Sequence, residues 1–311
     1  MNSRLTRGGA ASFLLLLTVC VVATTVFIGL RPEHVVLFAL IALLFFASTH
    51  TYRILLALLP FVLFAMSYDW MRVFPNYEFG TIDTEGLYRL EQALFGIEVG
   101  GQTLIPCQWF ALHHWPLADL LAGISYLLWV PGPISFALWL FFHKDYEWCT
   151  RFTWTFLLVN LIGFAGYYVH PAAPPWYVME YGFTPVFDTP GHVGGLVRFD
   201  QMVHLPVFKS IYAGNSNVFA AMPSLHSAYM LVTTFYAVMS RQRWWLTACC
   251  ALVCIGIWFT AVYSGHHYVL DVLAGVLTAC IGVMLSEWMV RRVPIINRAV
   301  CWYSKQLGGT F

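Results

Sequence analysis

Charge is scarce in this chain. Only 10% of its 311 residues are Asp, Glu, Lys or Arg, against about 25% in ordinary soluble domains, which excludes a soluble globular fold, a disordered chain and a coiled coil. Neither sign dominates what remains. Sixteen Lys and Arg against 15 Asp and Glu leave no basic field to neutralise a nucleic-acid backbone, so nucleic acid is excluded as a partner and any phosphate is met locally. No Cys-x-x-Cys spacing occurs, and Cys20, Cys249, Cys250, Cys254 and Cys280 fall inside apolar runs, where they read as small buried hydrophobes. There is no internal repeat to support an inverted-repeat transporter, and no Asn-x-Ser/Thr acceptor.

What is present is apolar. Residues of the AVILMFWYC set make up 59%, including 25 Phe, 13 Trp and 16 Tyr, and mean hydropathy is +0.69. This is the composition of a polytopic membrane protein, with aromatic rings for the bilayer interfaces and for apolar cavities. A spanning helix needs about 20 mainly apolar residues. Eight such runs occur, at 11–30, 35–50, 53–70, 119–142, 152–170, 223–240, 245–264 and 267–290. The first follows Arg4 and Arg7 and is long enough to be an uncleaved anchor rather than a signal peptide. The fourth contains Pro131-Gly132-Pro133. Segments 71–118 and 171–222 are rich in Trp, Tyr, Pro and Gly and do not cross.

With eight spans, the outer connections hold Arg31, Arg72, Arg89, Arg198 and Lys209, and the remaining eleven of the sixteen cations lie on the other side. The positive-inside rule then places both termini in the cytoplasm and both long segments on the opposite face. Within the first of them, Gly86–Phe95 has helical apolar spacing and reads equally as an interfacial helix or as a packed amphipathic one. The expected organisation is a single membrane domain over 1–311, with two accessory helices in 1–52, a catalytic core over 53–291 and a cytoplasmic tail over 292–311.

Ionisable groups at membrane depth need a reason. Two clusters stand at non-cytoplasmic helix ends: Met222-Pro-Ser-Leu-His226 and His266-His-Tyr-Val-Leu-Asp271. His267 and Asp271 are four apart, so on a helix they share a face. The carboxylate can fix the imidazole tautomer and free the other nitrogen as a nucleophile, or the two can form a structural ion pair. Pro223 suits a helix first turn. Two helix N-termini and the Ser224 hydroxyl could therefore surround a phosphate, with His226 giving a proton to the leaving oxygen. A zinc site from His226, His266, His267 and Asp271 is a lesser alternative. For His113-His114 a structural role is preferred, and for Arg198 and Lys209 exposed loop charges.

Pro-Ser-x-His followed some forty residues later by His-x-x-x-Asp resembles two signatures of the type-2 phosphatidic acid phosphatase superfamily. Together with Ala173-Pro-Pro-Trp-Tyr177, these motifs are most similar to the inositol phosphorylceramide synthases, the aureobasidin-resistance proteins of fungi and their bacterial relatives. That resemblance implies an all-α membrane fold with a six-helix catalytic bundle. It implies a phosphohistidine nucleophile at His267, an orienting acid at Asp271 and a proton donor at His226, with no metal and no cofactor. It also places His266, Trp176 and Tyr177 in the substrate region, joined by His170. The alternative for the last three is an interfacial helix stop, and the substrate reading is preferred because all three motifs leave the membrane on the same face.

The chain departs from the phosphatase pattern by lacking the Lys-x6-Arg-Pro motif and by having Thr260-Ala261 where that pattern has Ser-Arg. A phosphate monoester carries about −1.5 to −2 charge and calls for several cations, whereas a phosphodiester carries one charge. The expectation is transfer of inositol phosphate from phosphatidylinositol to ceramide or dihydroceramide, at the periplasmic face of a bacterial inner membrane or the lumenal face of a Golgi membrane. The rivals are a lipid phosphate or prenyl diphosphate phosphatase and a non-enzymatic lipid-binding protein.

Overall fold

The computed structural model describes residues 7–187, 189–214 and 217–309; Arg4 lies outside them. The chain is helical almost throughout. In order come α1 (Arg7–Phe27), α2 (Pro32–Ala47), α3 (Thr49–Trp70), α4 (Gly86–Phe95), the two-stranded antiparallel pair β1 (Ile97–Val99) and β2 (Gln102–Leu104), α5 (Pro106–Leu112), α6 (Pro116–Leu127), α7 (Pro131–Phe142) and α8 (Tyr146–Val169). These are followed by α9 (Pro175–Tyr181), α10 (Val197–Val203), α11 (Val207–Ala213), α12 (Leu225–Met239), α13 (Trp244–Tyr263), α14 (Val269–Arg292) and α15 (Pro294–Leu307). Proline opens α2, α5, α6, α7, α9 and α15, where its missing N–H costs nothing and its fixed φ is already helical.

A helix stands at each of the eight expected spans. Five are long and apolar enough to cross: α1 from Gly8, α3, α8, α13 and α14. The run at 119–142 is broken into α6 and α7, which meet at 49° and make a sixth crossing if taken as one span. The other two, α2 and α12, are shorter apolar helices of 16 and 15 residues.

The core forms around α8, which packs against α3, α7, α12, α14 and α15. Phe61, Phe152, Phe156, Tyr229 and Tyr236 fill it. At the end away from the two histidine motifs, Arg151 pairs with Glu287, which also accepts from the Tyr236 hydroxyl at 2.8 Å. A charge pair at that depth persists because each partner satisfies the other. The N-terminal α1 and α2 are peripheral. Phe13 stacks on Phe45 at 3.7 Å, and His34 reaches Asp69 of α3 at 2.7 Å. Segment 292–311, expected to be a tail, is mostly the amphipathic α15, whose Ser304 and Leu307 are fully buried against the bundle. All eight cysteines are unpaired; of the five expected to be buried, Cys250 and Cys254 are, Cys20 and Cys280 are partly exposed and Cys249 is exposed.

The two long segments fold into one cap over the end of the bundle that carries the histidine motifs. Asp83, Ala172 and Ala220 bridge in parallel, and buried Asn76 donates to the carbonyls of Tyr167 (2.8 Å) and Phe219 (2.9 Å). Of the two readings open for Gly86–Phe95, packing prevails on one face. Leu87 and Glu91 are buried against the start of α14, while Leu90 and Leu94 stay exposed.

Candidate active site

The two motifs are fastened together by backbone. Ser224 donates its N–H to the Asp271 carbonyl at 2.9 Å. Gly275, one turn further along α14, makes the approach possible: a Cβ there would lie 2.1 Å from the Ser224 carbonyl oxygen. Ser224 is the N-cap of α12, its hydroxyl accepting from the Ser227 amide (3.4 Å) and from the Ser227 hydroxyl (3.1 Å). Two expectations are corrected here. Pro223 stands before the cap rather than in the first turn, and the fully buried Ser224 hydroxyl closes its own helix instead of facing a ligand.

His267 lies in the turn before α14, not on the helix, because Tyr268 is the N-cap. The turn is held by the amides of His266 and His267, both donating to the Ala261 carbonyl (3.1 and 2.9 Å). Gly265 within it has φ +78°, a region that side chains avoid. The four-residue spacing still brings Nδ1 of His267 to 3.4 Å from Oδ2 of Asp271, close enough for an ion pair and longer than a good hydrogen bond. The other nitrogen, Nε2, lies 3.1 Å from Nδ1 of His226. Asp271, His267 and His226 therefore form a continuous line from α14 to α12.

The second helix N-terminus is not open to an anion. The Tyr268 amide donates to Oδ2 of Asp271 (2.9 Å), and those of Val269 and Leu270 donate to the carboxylate of Glu91 on α4 (2.8 and 3.1 Å). Glu91 has no exposed surface, and burial pushes its carboxyl up to about 7, opposed by these two amides and helped by the nearby Asp271. Sequence reading missed this residue; its one signal was an acid on the apolar side of Gly86–Phe95.

The remaining expected site residues divide. Trp176 is buried and lines the cavity beside the histidine pair, its amide donating to the Gly265 carbonyl at 2.9 Å. His266 borders the same cavity, but both its ring nitrogens are engaged, with the Ser264 hydroxyl (2.7 Å) and the His192 carbonyl (3.2 Å), so it offers its ring face and not a free nitrogen. Tyr177 is corrected to a scaffold position. Its hydroxyl donates to the Thr184 carbonyl (3.0 Å) and accepts from the Val186 amide (2.6 Å). His170 is half-exposed outside the cavity, 3.3 Å from Asp83. Arg198 is not a loose loop charge, because it pairs with buried Asp119 at 2.6 Å. The neighbouring His113 stacks on Trp109 at 4.4 Å. Among the described residues no group of three or more His, Cys, Asp or Glu is arranged to hold a metal, so the zinc arrangement is not formed.

The cavity measures about 160 Å³. Its walls are aromatic, from Tyr68, Tyr126, Trp129, Tyr167, Phe208, Tyr212 and Tyr229, and no Lys or Arg among the described residues lines it. Tyr126 and Trp129 cover His226, with ring centroids at 5.0 and 4.6 Å, and both sit at the break between α6 and α7.

The PAP2 superfamily pattern matches residues 85–285. The chain is 51% identical over 283 residues to the phosphoinositol dihydroceramide synthase of Bacteroides thetaiotaomicron, covering 91% of this chain and 90% of the relative. It is 30% identical over 145 residues to the catalytic subunit AUR1 of inositol phosphorylceramide synthase from Saccharomyces cerevisiae, covering 46% and 35% respectively. To the inositol phosphorylceramide synthase of Candida albicans it is 28% identical over 164 residues, covering 51% and 34%. No solved structure matches. With the motif histidines meeting at one end of a helical bundle inside the matched segment, the chain belongs to the PAP2 superfamily.

Proposed function

We propose that this integral membrane protein is a phosphotransferase that moves inositol phosphate from phosphatidylinositol to a ceramide-type lipid. The carrying observation is the line Asp271, His267, His226 at the wall of a cavity that no Lys or Arg among the described residues lines. The bacterial relative that aligns over nine-tenths of both chains, by its name a phosphoinositol dihydroceramide synthase, supports the choice of substrates. A single-charge phosphodiester suits a site with no cation, which a phosphate monoester does not.

In this reading Asp271 favours the proton on Nδ1 of His267, leaving Nε2 as the lone pair that attacks phosphorus. His226, whose Nδ1 faces that nitrogen, protonates the departing diacylglycerol oxygen, and inositol phosphate is held on His267 as a phosphoramidate. Ceramide then enters. His226 takes the proton of its hydroxyl, the oxygen attacks phosphorus, and the P–N bond breaks to return His267. Trp176 and the aromatic walls take up apolar lipid surface and exclude water, which would divert the intermediate to hydrolysis. The site lies on the face opposite the larger set of cations, which supports a periplasmic location in a bacterial inner membrane.

Lipid mass spectrometry on purified protein given phosphatidylinositol and ceramide tests this. Inositol phosphorylceramide with equimolar diacylglycerol, absent with His267→Ala, is expected. Release of free inositol phosphate or inorganic phosphate would instead make the protein a hydrolase.

A further inference from the structure

A buried anion needs donors, and few near the histidine pair are free. The first amides of α14 are bound to Asp271 and Glu91, and the amides of His266 and His267 go to Ala261. On the cavity wall the Tyr229 hydroxyl donates to Asn160 at 2.6 Å, and His266 has both nitrogens engaged. One hydroxyl stands apart. Tyr126 is 1% exposed, its oxygen makes no hydrogen bond of full geometry among the described residues, with the Tyr212 hydroxyl as its polar neighbour, and it lines the same cavity. Its ring lies parallel to His226, with centroids 5.0 Å apart and planes at 19°, and 5.9 Å from His266. A buried hydroxyl without a full hydrogen bond is unfavourable to folding, and such groups persist where a ligand completes them.

We propose that the Tyr126 hydroxyl donates a hydrogen bond to a non-bridging oxygen of the reacting phosphorus, taking the place of a cationic phosphate ligand. This rests on the transferase reading for the identity of the lipids, but not for the phosphoryl group itself. A neutral donor fixed beside His226 meets the single charge of a phosphodiester and strengthens as charge gathers on the equatorial oxygens.

Tyr126→Phe removes only the oxygen and keeps the ring stack, so the test is made on the purified full-length chain in lipid micelles. The expected result is a kcat for inositol phosphate transfer lower by about 10²-fold, an unchanged KM for ceramide, and weaker protection against thermal unfolding by orthovanadate, a mimic of pentacoordinate phosphorus. The melting temperature without ligand should be equal or higher, since a buried hydroxyl without a full hydrogen bond has been removed. Turnover and vanadate protection both within twofold of wild type would overturn the proposal and leave Tyr126 as wall. If wild type makes no inositol phosphorylceramide, the choice of lipids fails, while the vanadate comparison still decides the role of Tyr126.

Discussion

Ser224 and Asp271 are joined through backbone, amide to carbonyl at 2.9 Å, so the two helix starts that carry the histidines are set against each other before any lipid arrives. Positioning of this kind belongs to the fold rather than to the ligand, and it can be disturbed without touching either imidazole.

Gly275→Ala is the direct disturbance. Its methyl group would meet the Ser224 carbonyl oxygen at 2.1 Å, and because that atom is backbone the helices must part. A loss of about 1–3 kcal/mol of stability is expected, with activity falling further than the population of folded protein. Thermal unfolding in detergent beside product formation measures both.

Removal of either imidazole should stop transfer while leaving the fold in place. His267→Ala is expected to abolish detectable product, and His226→Ala to lower turnover by about 10²–10⁴-fold. Asp271→Asn keeps the volume but lets the His267 tautomer reverse, with a loss approaching 10⁴-fold. Product mass spectrometry across the three variants, with melting curves alongside, checks the order; an active His267→Ala would refute the nucleophile.

Glu91 makes stability depend on pH. Its carboxyl is raised from 4.5 to about 7, so the folded chain holds that proton more tightly than the unfolded one. Its contribution is complete below about 4.5 and declines as pH rises towards about 7, by up to about 3 kcal/mol. Asp271, Cys107 and Tyr268 are titratable neighbours. Melting temperatures of wild type and Glu91→Gln should diverge across this range; parallel curves would contradict the assignment.

Arg198→Met should separate stability from recognition. It takes the guanidinium from the buried Asp119 carboxylate, which keeps the Tyr263 hydroxyl at 2.8 Å and His114 at 3.6 Å, so the cost should stay below the about 3–5 kcal/mol of a fully unpaired buried charge, and the KM for phosphatidylinositol should hold, because Arg198 does not line the cavity. A tenfold or larger rise in KM would show that it does reach the phosphate.

The helices were legible in the sequence because apolar length and proline punctuation are local properties. Each of the eight apolar runs holds a helix, and the contact of His226 with His267 follows from both motifs standing at the same ends of their helices. What could not be read depends on distant residues. For Glu91 the one local signal is its place on the apolar side of α4, and its burial emerges only when α4 is laid against α14. Nor does the sequence reveal that Ser224 and the first amides of α14 are already satisfied within the protein. Tyr177 and His170 stand beside Trp176 in a single motif, yet Pro174 and Trp176 line the cavity and those two do not.

The 49° break between α6 and α7 gives the site two owners. The two histidines stand on α12 and on the turn before α14, while the rings lying over His226, Tyr126 and Trp129, are carried by the break between α6 and α7. A small change in the tilt of α7 would slide Trp129 across an unmoved histidine pair, and substitutions in Pro131-Gly132-Pro133 would act like a dial on the aperture. The histidine pair and the rings that cover it thus stand on separate elements, so Trp129 can be varied without touching the backbone that holds His226 and His267.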